Sequence, residues 1–250
     1  MDREWVSERI RPSIAAVIVV HVSDDDLREW ARGIIDWRVH PKWYTAAIGI
    51  PAAIAFGAGA IAYVVGAPID YGAFSPALLT LLFGIILGTF IGGGQEVIGW
   101  RGFAQPYLND RYDALTASLI IGVVWAVWHL PYFLIPITPH SGFTVVNQVG
   151  WFVSIVLLSV ILGWAYNGTG SVLIVIVLHA MVNNVDILLP LGPDQLVVDG
   201  IIVDTAVATV TVTQVAVTFL VVVAIVAYFG RDSLARGDIP GVAYIRGETQ

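Results

Sequence analysis

The chain contains no cysteine, which excludes a disulfide framework, a thiolate zinc site, an iron–sulfur cluster and cysteine nucleophile chemistry. Charge is scarce as well: only 12% of residues are Asp, Glu, Lys or Arg, about half the share of an ordinary soluble domain. Lys42 is the only lysine, and a net charge of −7 gives nucleic acid little reason to bind. No secretory signal peptide is legible, because Asp2, Glu4 and Glu8 offset Arg3, Arg9 and Arg11 and no small-residue cleavage site follows; the expectation is that nothing has been removed. Internal repeats and low-complexity segments are also missing from the pattern.

What is present is apolar: 57% of the 250 residues are hydrophobic, and the mean hydropathy is +0.80. A bilayer core of about 30 Å asks for about 20 apolar residues per helix. Six runs meet that length: Trp43 to Ala67, Phe74 to Gly94, Ala114 to Ile137, Val145 to Tyr166, Ser171 to Leu191 and Thr205 to Phe229. The expected fold is therefore all-α, a polytopic transmembrane helical bundle of about six full spans. Pro12 to Val22 is too short to cross alone and reads as a half-span or interfacial segment. The expected division is an N-terminal segment 1–42, a transmembrane bundle 43–229 and a tail 230–250.

Basic residues set the orientation, since loops rich in Lys and Arg stay cytoplasmic. Arg28, Arg32, Arg38 and Lys42 precede the first full span, Arg101 and Arg111 lie between the second and third, and Arg231, Arg236 and Arg246 follow the sixth. The connectors around Asp70, around His140 and from Pro193 to Asp204 hold no Lys or Arg. That asymmetry predicts a multi-pass protein of the cell membrane with a cytoplasmic C-terminus. Leu27, Trp30, Ile34, Ile35 and Trp37 form an apolar stripe beside charges in 24–42, the pattern of a helix lying on the membrane surface. Trp43, Tyr44, Trp164 and Tyr166 stand at span ends, as headgroup-level anchors do. Val197 to Ile202 has a turn dipeptide between β-branched pairs and predicts a tight hairpin, and the tail reads as a mobile end.

An ionisable residue inside a span costs about 2.5 kcal/mol or more and is a functional candidate by default. Glu96 and Arg101 lie five residues apart among glycines, so they fall on different helix faces and cannot form a simple helical ion pair. His129 lies deep in the third span, and Pro131, two residues on, should kink that helix and free carbonyls. His179 and Asn183 share one face of the fifth span. Any one of these can be a packing or bridging group; Glu, His, His and Asn on three apolar helices point to one wet pocket. There a carboxylate with an imidazole can activate water, while a second imidazole and an amide donate to an oxyanion, which is amide hydrolysis. Two His and a Glu would also suit zinc, but there is no His-Glu-x-x-His and no Gly-x-Ser-x-Gly. A proton-relaying transporter is a further alternative, although no inverted repeat is discernible.

Three ordered motifs resemble the CPBP intramembrane endopeptidases, the group of the type II CAAX prenyl proteases and the Abi or bacteriocin-processing proteins. They are Glu96-Val97-Ile98-Gly99-Trp100-Arg101-Gly102-Phe103, then Trp125 to His129, then His179 to Asn183. The resemblance implies a glutamic protease without cofactor or metal. Glu96 and His129 would activate water, His179 and Asn183 would form the oxyanion hole, and Arg101 would be structural, orienting carboxylates. The implied partners are the lipid bilayer and a peptide or protein substrate, prenylated in the CAAX case, with no nucleic acid. Val97 departs from the family, which places its second glutamate there, and this leaves Arg101 without its i−4 carboxylate. The departure keeps open a catalytically impaired or non-catalytic protein of the same fold, with an immunity or binding role.

Overall fold

The computed structural model describes residues 3–23, 26–67, 78–90, 94–135, 143–185, 197–198, 201–202 and 204–242. The helices are α1 (Arg3–Val22), α2 (Leu27–Ile34), α3 (Lys42–Val64), α4 (Leu78–Phe90), α5 (Gly94–Gly99), a π-helical turn (Trp100–Ala104), α6 (Gln105–Asn109), α7 (Ala114–Trp128), α8 (Pro131–Leu134), α9 (Val145–Asn167), α10 (Val172–Val182) and α11 (Asp204–Phe229). The expected hairpin is present as β1 (Val197–Val198) and β2 (Ile201–Ile202), antiparallel with Val197 opposite Ile202. The architecture is otherwise all-α.

Four stretches are long and apolar enough to cross a bilayer: Lys42–Val64, Ala114–Leu134, Val145–Asn167 and Val207–Phe229. They correspond to four of the six expected spans. The other two runs also hold helices, but α4 has 13 described residues and α10 has 11. Residues 74–77, 91–93 and 186–191 of those runs lie outside the described residues, as do the connectors at Asp70 and His140. Helix α10 is apolar nearly all round and sits in the core, with Ile174, Val175, Leu178 and Met181 buried, as such a helix must be.

Spacing of small residues brings α7 and α9 into close contact. Ser118 and Gly122 on α7 face Ser159 and Gly163 on α9 in a reciprocal arrangement. A Cβ on Gly122 would stand 2.9 Å from Ser159 Cβ, and one on Gly163 would run into Ser118 Oγ. Two small-x-x-x-small pairs thus let the backbones approach, the device by which helices associate in lipid.

One helix runs longer than its apolar segment, and two expectations about which way side chains face are corrected. Helix α1 begins at Arg3, so residues before Pro12 join it, and it packs on α5: a Cβ on Gly99 would meet the Pro12 carbonyl oxygen at 2.6 Å. The apolar stripe expected to face lipid is in part turned inward, with Trp30 buried and Leu27 and Ile34 packed beside Ala16, Val20 and Phe103. Ile35 and Trp37 remain exposed. Likewise Trp164 and Tyr166 belong to the core rather than to an interfacial belt; Trp164 meets Trp43 at 4.8 Å between ring centroids.

The start of the tail is also fastened rather than mobile. Ala114 N–H and Leu115 N–H donate to the carbonyls of Asp232 and Arg231 at 2.9 and 3.0 Å. Asn109 Nδ2 donates to Pro240 O, and Asn167 Nδ2 to Ser233 O. Leu234 is fully buried.

Candidate active site

Glu96 reaches its position through a helix that changes pitch. Residues 94–109 run as α5, the π-helical turn and α6, with Pro106 at the start of α6. Proline has no N–H, so the carbonyl of Gly102, four residues earlier, loses its ordinary partner. Trp30 Nε1 takes that carbonyl at 2.7 Å, and the surplus residue of the π turn absorbs the ring, a distortion common at functional sites. Glu96, on the turn before, is 2% exposed.

Pro131 organises His129 in a related way. Helix α7 ends at Trp128, and His129 N–H turns to Ala126 O at 3.1 Å while Leu130 N–H bonds Val127 O at 3.0 Å. The tightening releases Trp125 O from the backbone ladder, and His129 Nδ1 lies 2.8 Å from it. A carbonyl only accepts, so Nδ1 carries the hydrogen, and in the neutral form of the ring Nε2 is the accepting nitrogen. That Nε2 faces Glu96 Oε2 at 3.8 Å.

Trp125 is where the site residues converge. Its indole Nε1 donates to Glu96 Oε2 at 2.7 Å, and its ring lies 5.9 Å from His129 and 5.2 Å from His179 between centroids. Tyr132 and Trp151 flank His129 at 5.3 and 5.1 Å. His179 is buried on α10, and Asn183, exposed, is the C-cap of that helix, its N–H donating to His179 O. The expected residues Glu96, His129 and His179 therefore assemble around one tryptophan, with Asn183 one turn beyond. Sequence reasoning took Trp125 only as the start of a motif, and it passed over Tyr132 and Trp151. The signal was the aromatic density around His129.

The acceptors that Arg101 meets are neutral side chains. Arg101 is fully buried, and its guanidinium donates to Gln105 Oε1 and, at 2.6 Å, to Ser159 Oγ. Val97 is buried in the apolar core. Among the described residues no ion pair includes Arg101.

These features define a class: a multi-pass helical membrane protein with a buried carboxylate–imidazole pair. Residues 77–185 match the family model described as type II CAAX prenyl endopeptidase Rce1-like, and over those helices the chain is similar to that family. A CAAX prenyl protease 2 from Methanococcus maripaludis is similar, 29% identical over 132 residues, 50% of this chain and 46% of the relative. The match thus spans about half the length of that curated relative.

Proposed function

We propose that this chain is a CAAX-protease-like intramembrane endopeptidase, in which Glu96 and His129 activate water and His179 and Asn183 donate to the oxyanion. The observation that carries the reading is the buried 3.8 Å gap between Glu96 Oε2 and Nε2 of His129. With the imidazole neutral both atoms accept, and the gap exceeds a direct hydrogen bond. A water donating one hydrogen to each bridges it and is activated there. As its oxygen attacks the scissile carbonyl carbon, one proton passes to the Glu96–His129 pair. The carbonyl oxygen takes the negative charge, and donors fixed in advance lower the barrier. Collapse breaks the C–N bond and returns the proton to the leaving amine.

The substrate in this reading is a peptide or protein, prenylated as the family description implies. An apolar groove beside the site, between α7 and α9 and lined by Val123, Val127, Phe152 and Val153, suits a segment arriving from lipid. The C-terminal tail, residues 230–250, is assigned to the cytoplasmic side. Residues 1–42 are assigned to an N-terminal segment of the 43–229 bundle.

The test is a mass-spectrometric cleavage screen with the detergent-purified protein, run beside Glu96→Gln and with EDTA. Products that require Glu96 and resist EDTA are expected; equal turnover by Glu96→Gln would sink the role of Glu96. Val97 favours a second reading, a non-catalytic protein of this fold, because an apolar side chain stands where the family carries a carboxylate. Cleavage gained only in Val97→Glu would establish that reading.

A further inference from the structure

A fully buried guanidinium without a carboxylate partner needs neutral acceptors in fixed positions, because leaving a buried charge uncompensated is strongly destabilising. Arg101 has two such acceptors on two different helical segments. One is Ser159 Oγ on α9, which in turn donates to Ser118 O on α7 at 2.6 Å. The other is Gln105 Oε1, one turn along the same chain segment as Glu96.

The second branch continues. Gln105 Nε2 donates to Asn109 Oδ1 at 2.9 Å, Asn109 Nδ2 to Asn167 Oδ1 at 3.0 Å, and Asn167 Nδ2 to Ser233 O at 2.9 Å. The direction of this relay is not arbitrary. Arginine can only donate, so Gln105 must turn its oxygen inward and its NH2 outward, and each amide after it does the same. The run ends on backbone carbonyls of the C-terminal segment. Gln105, Ser159 and Ser118 are all fully buried, so these bonds do not compete with bulk water.

We propose that Gln105 and Ser159 are positioning residues that seat the Arg101 guanidinium at the α7–α9 crossing and thereby fix where Glu96 stands relative to Trp125 and His129. Arg101 follows Glu96 by five residues on one helical segment, whereas Trp125 and His129 lie on the helix that supplies Ser118 O. The guanidinium therefore fastens the acid-bearing segment to the imidazole-bearing one. Neither residue touches the reacting atoms. Its effect on turnover rests on the endopeptidase reading, but its effect on geometry does not.

The experiment combines 15N-indole NMR with cleavage kinetics on the full chain in detergent, using Gln105→Met, Ser159→Ala and Gln105→Glu, each checked for thermal melting. The Trp125 indole N–H resonance, assigned with Trp125→Phe, reports its bond to the Glu96 carboxylate, and Glu96→Gln marks the position of a weakened bond. Gln105→Met and Ser159→Ala should move that resonance toward the Glu96→Gln position. They should also lower kcat by about a hundredfold, the size of effect a misplacement of about 1 Å brings, with KM unchanged. Gln105→Glu keeps an acceptor for Arg101 and should restore both. A resonance unmoved in folded Gln105→Met and Ser159→Ala overturns the proposal, as does a moved resonance with full kcat. Absence of cleavage by the parent chain overturns the endopeptidase reading instead, and the resonance then decides this proposal alone.

Discussion

Trp125 holds Glu96 by its side chain: indole Nε1 donates to Oε2 across 2.7 Å, with both residues almost completely buried. A bond to a charged acceptor is worth about 1.5–3 kcal/mol, and more is lost when the acceptor stays buried without it. Trp125→Phe keeps most of the ring contacts to His129 and His179 and removes only the donor. Cleavage measured as kcat/KM should fall by about ten- to a hundredfold, while far-UV circular dichroism stays unchanged. Retained kcat/KM would show that Glu96 does not need this donor.

Pro131→Ala separates stability from function. It restores an N–H to the turn, so that His129 N–H can return to Trp125 O in a regular helix. The same carbonyl is what His129 Nδ1 uses now, at 2.8 Å. The variant should melt no lower than the parent, because the N–H it gains can close a backbone hydrogen bond that proline cannot make. It should nevertheless lose most of its cleavage, since the imidazole is no longer held in the tautomer that bares Nε2. A variant that is both fully active and fully helical through 129–131 by NMR would refute the role given to the break.

The helices were legible because long apolar runs are unambiguous, and Glu96, His129, His179 and Asn183 stood out because polar groups in lipid are costly. The devices that place them were not. Gly102 O finds its donor in Trp30, 72 residues away in sequence, and no local pattern announces that pairing. Ser118, Gly122, Ser159 and Gly163 cost little in an apolar helix, so only their reciprocal spacing marks them, and spacing gains meaning once α7 is known to face α9. The tail carries glycine, proline and mixed charge and reads as mobile, yet its backbone carbonyls are what Asn109 and Asn167 bind.

Gly122→Ala tests that crossing. The added Cβ would lie 2.9 Å from Ser159 Cβ and 3.0 Å from Val156 Cα, neither of which can swing aside as a long side chain would. Overpacking of this kind costs about 1–3 kcal/mol, so the melting temperature should fall measurably. Gly49→Ala, where nothing lies within 4 Å of the new Cβ, is the control and should leave melting unchanged. Equal melting of the two variants would mean that α7 and α9 do not depend on that approach.

At the opposite end of α7 the dependence is on pH. Asp113 caps the helix, its carboxylate accepting from Thr116 N–H at 3.0 Å and from Arg231 Nη2 at 2.9 Å. Burial pushes its pKa up, but the Thr116 amide, the Arg231 guanidinium and the Thr116 hydroxyl outweigh this and hold it below the usual carboxylate range. A carboxyl whose folded pKa is depressed contributes stability that is fully present above its unfolded value, about 3.9, and is lost as pH falls through the lower folded value. Melting temperatures of the parent and of Asp113→Asn, followed from about pH 6 down to about pH 3, should therefore differ at the upper end and converge at the lower. Salt should shrink the difference at the upper end, because Arg231 is exposed and its attraction is screened. A gap that stays constant across the range would mean that the cap acts through hydrogen bonding alone, with no contribution from the charge of Asp113.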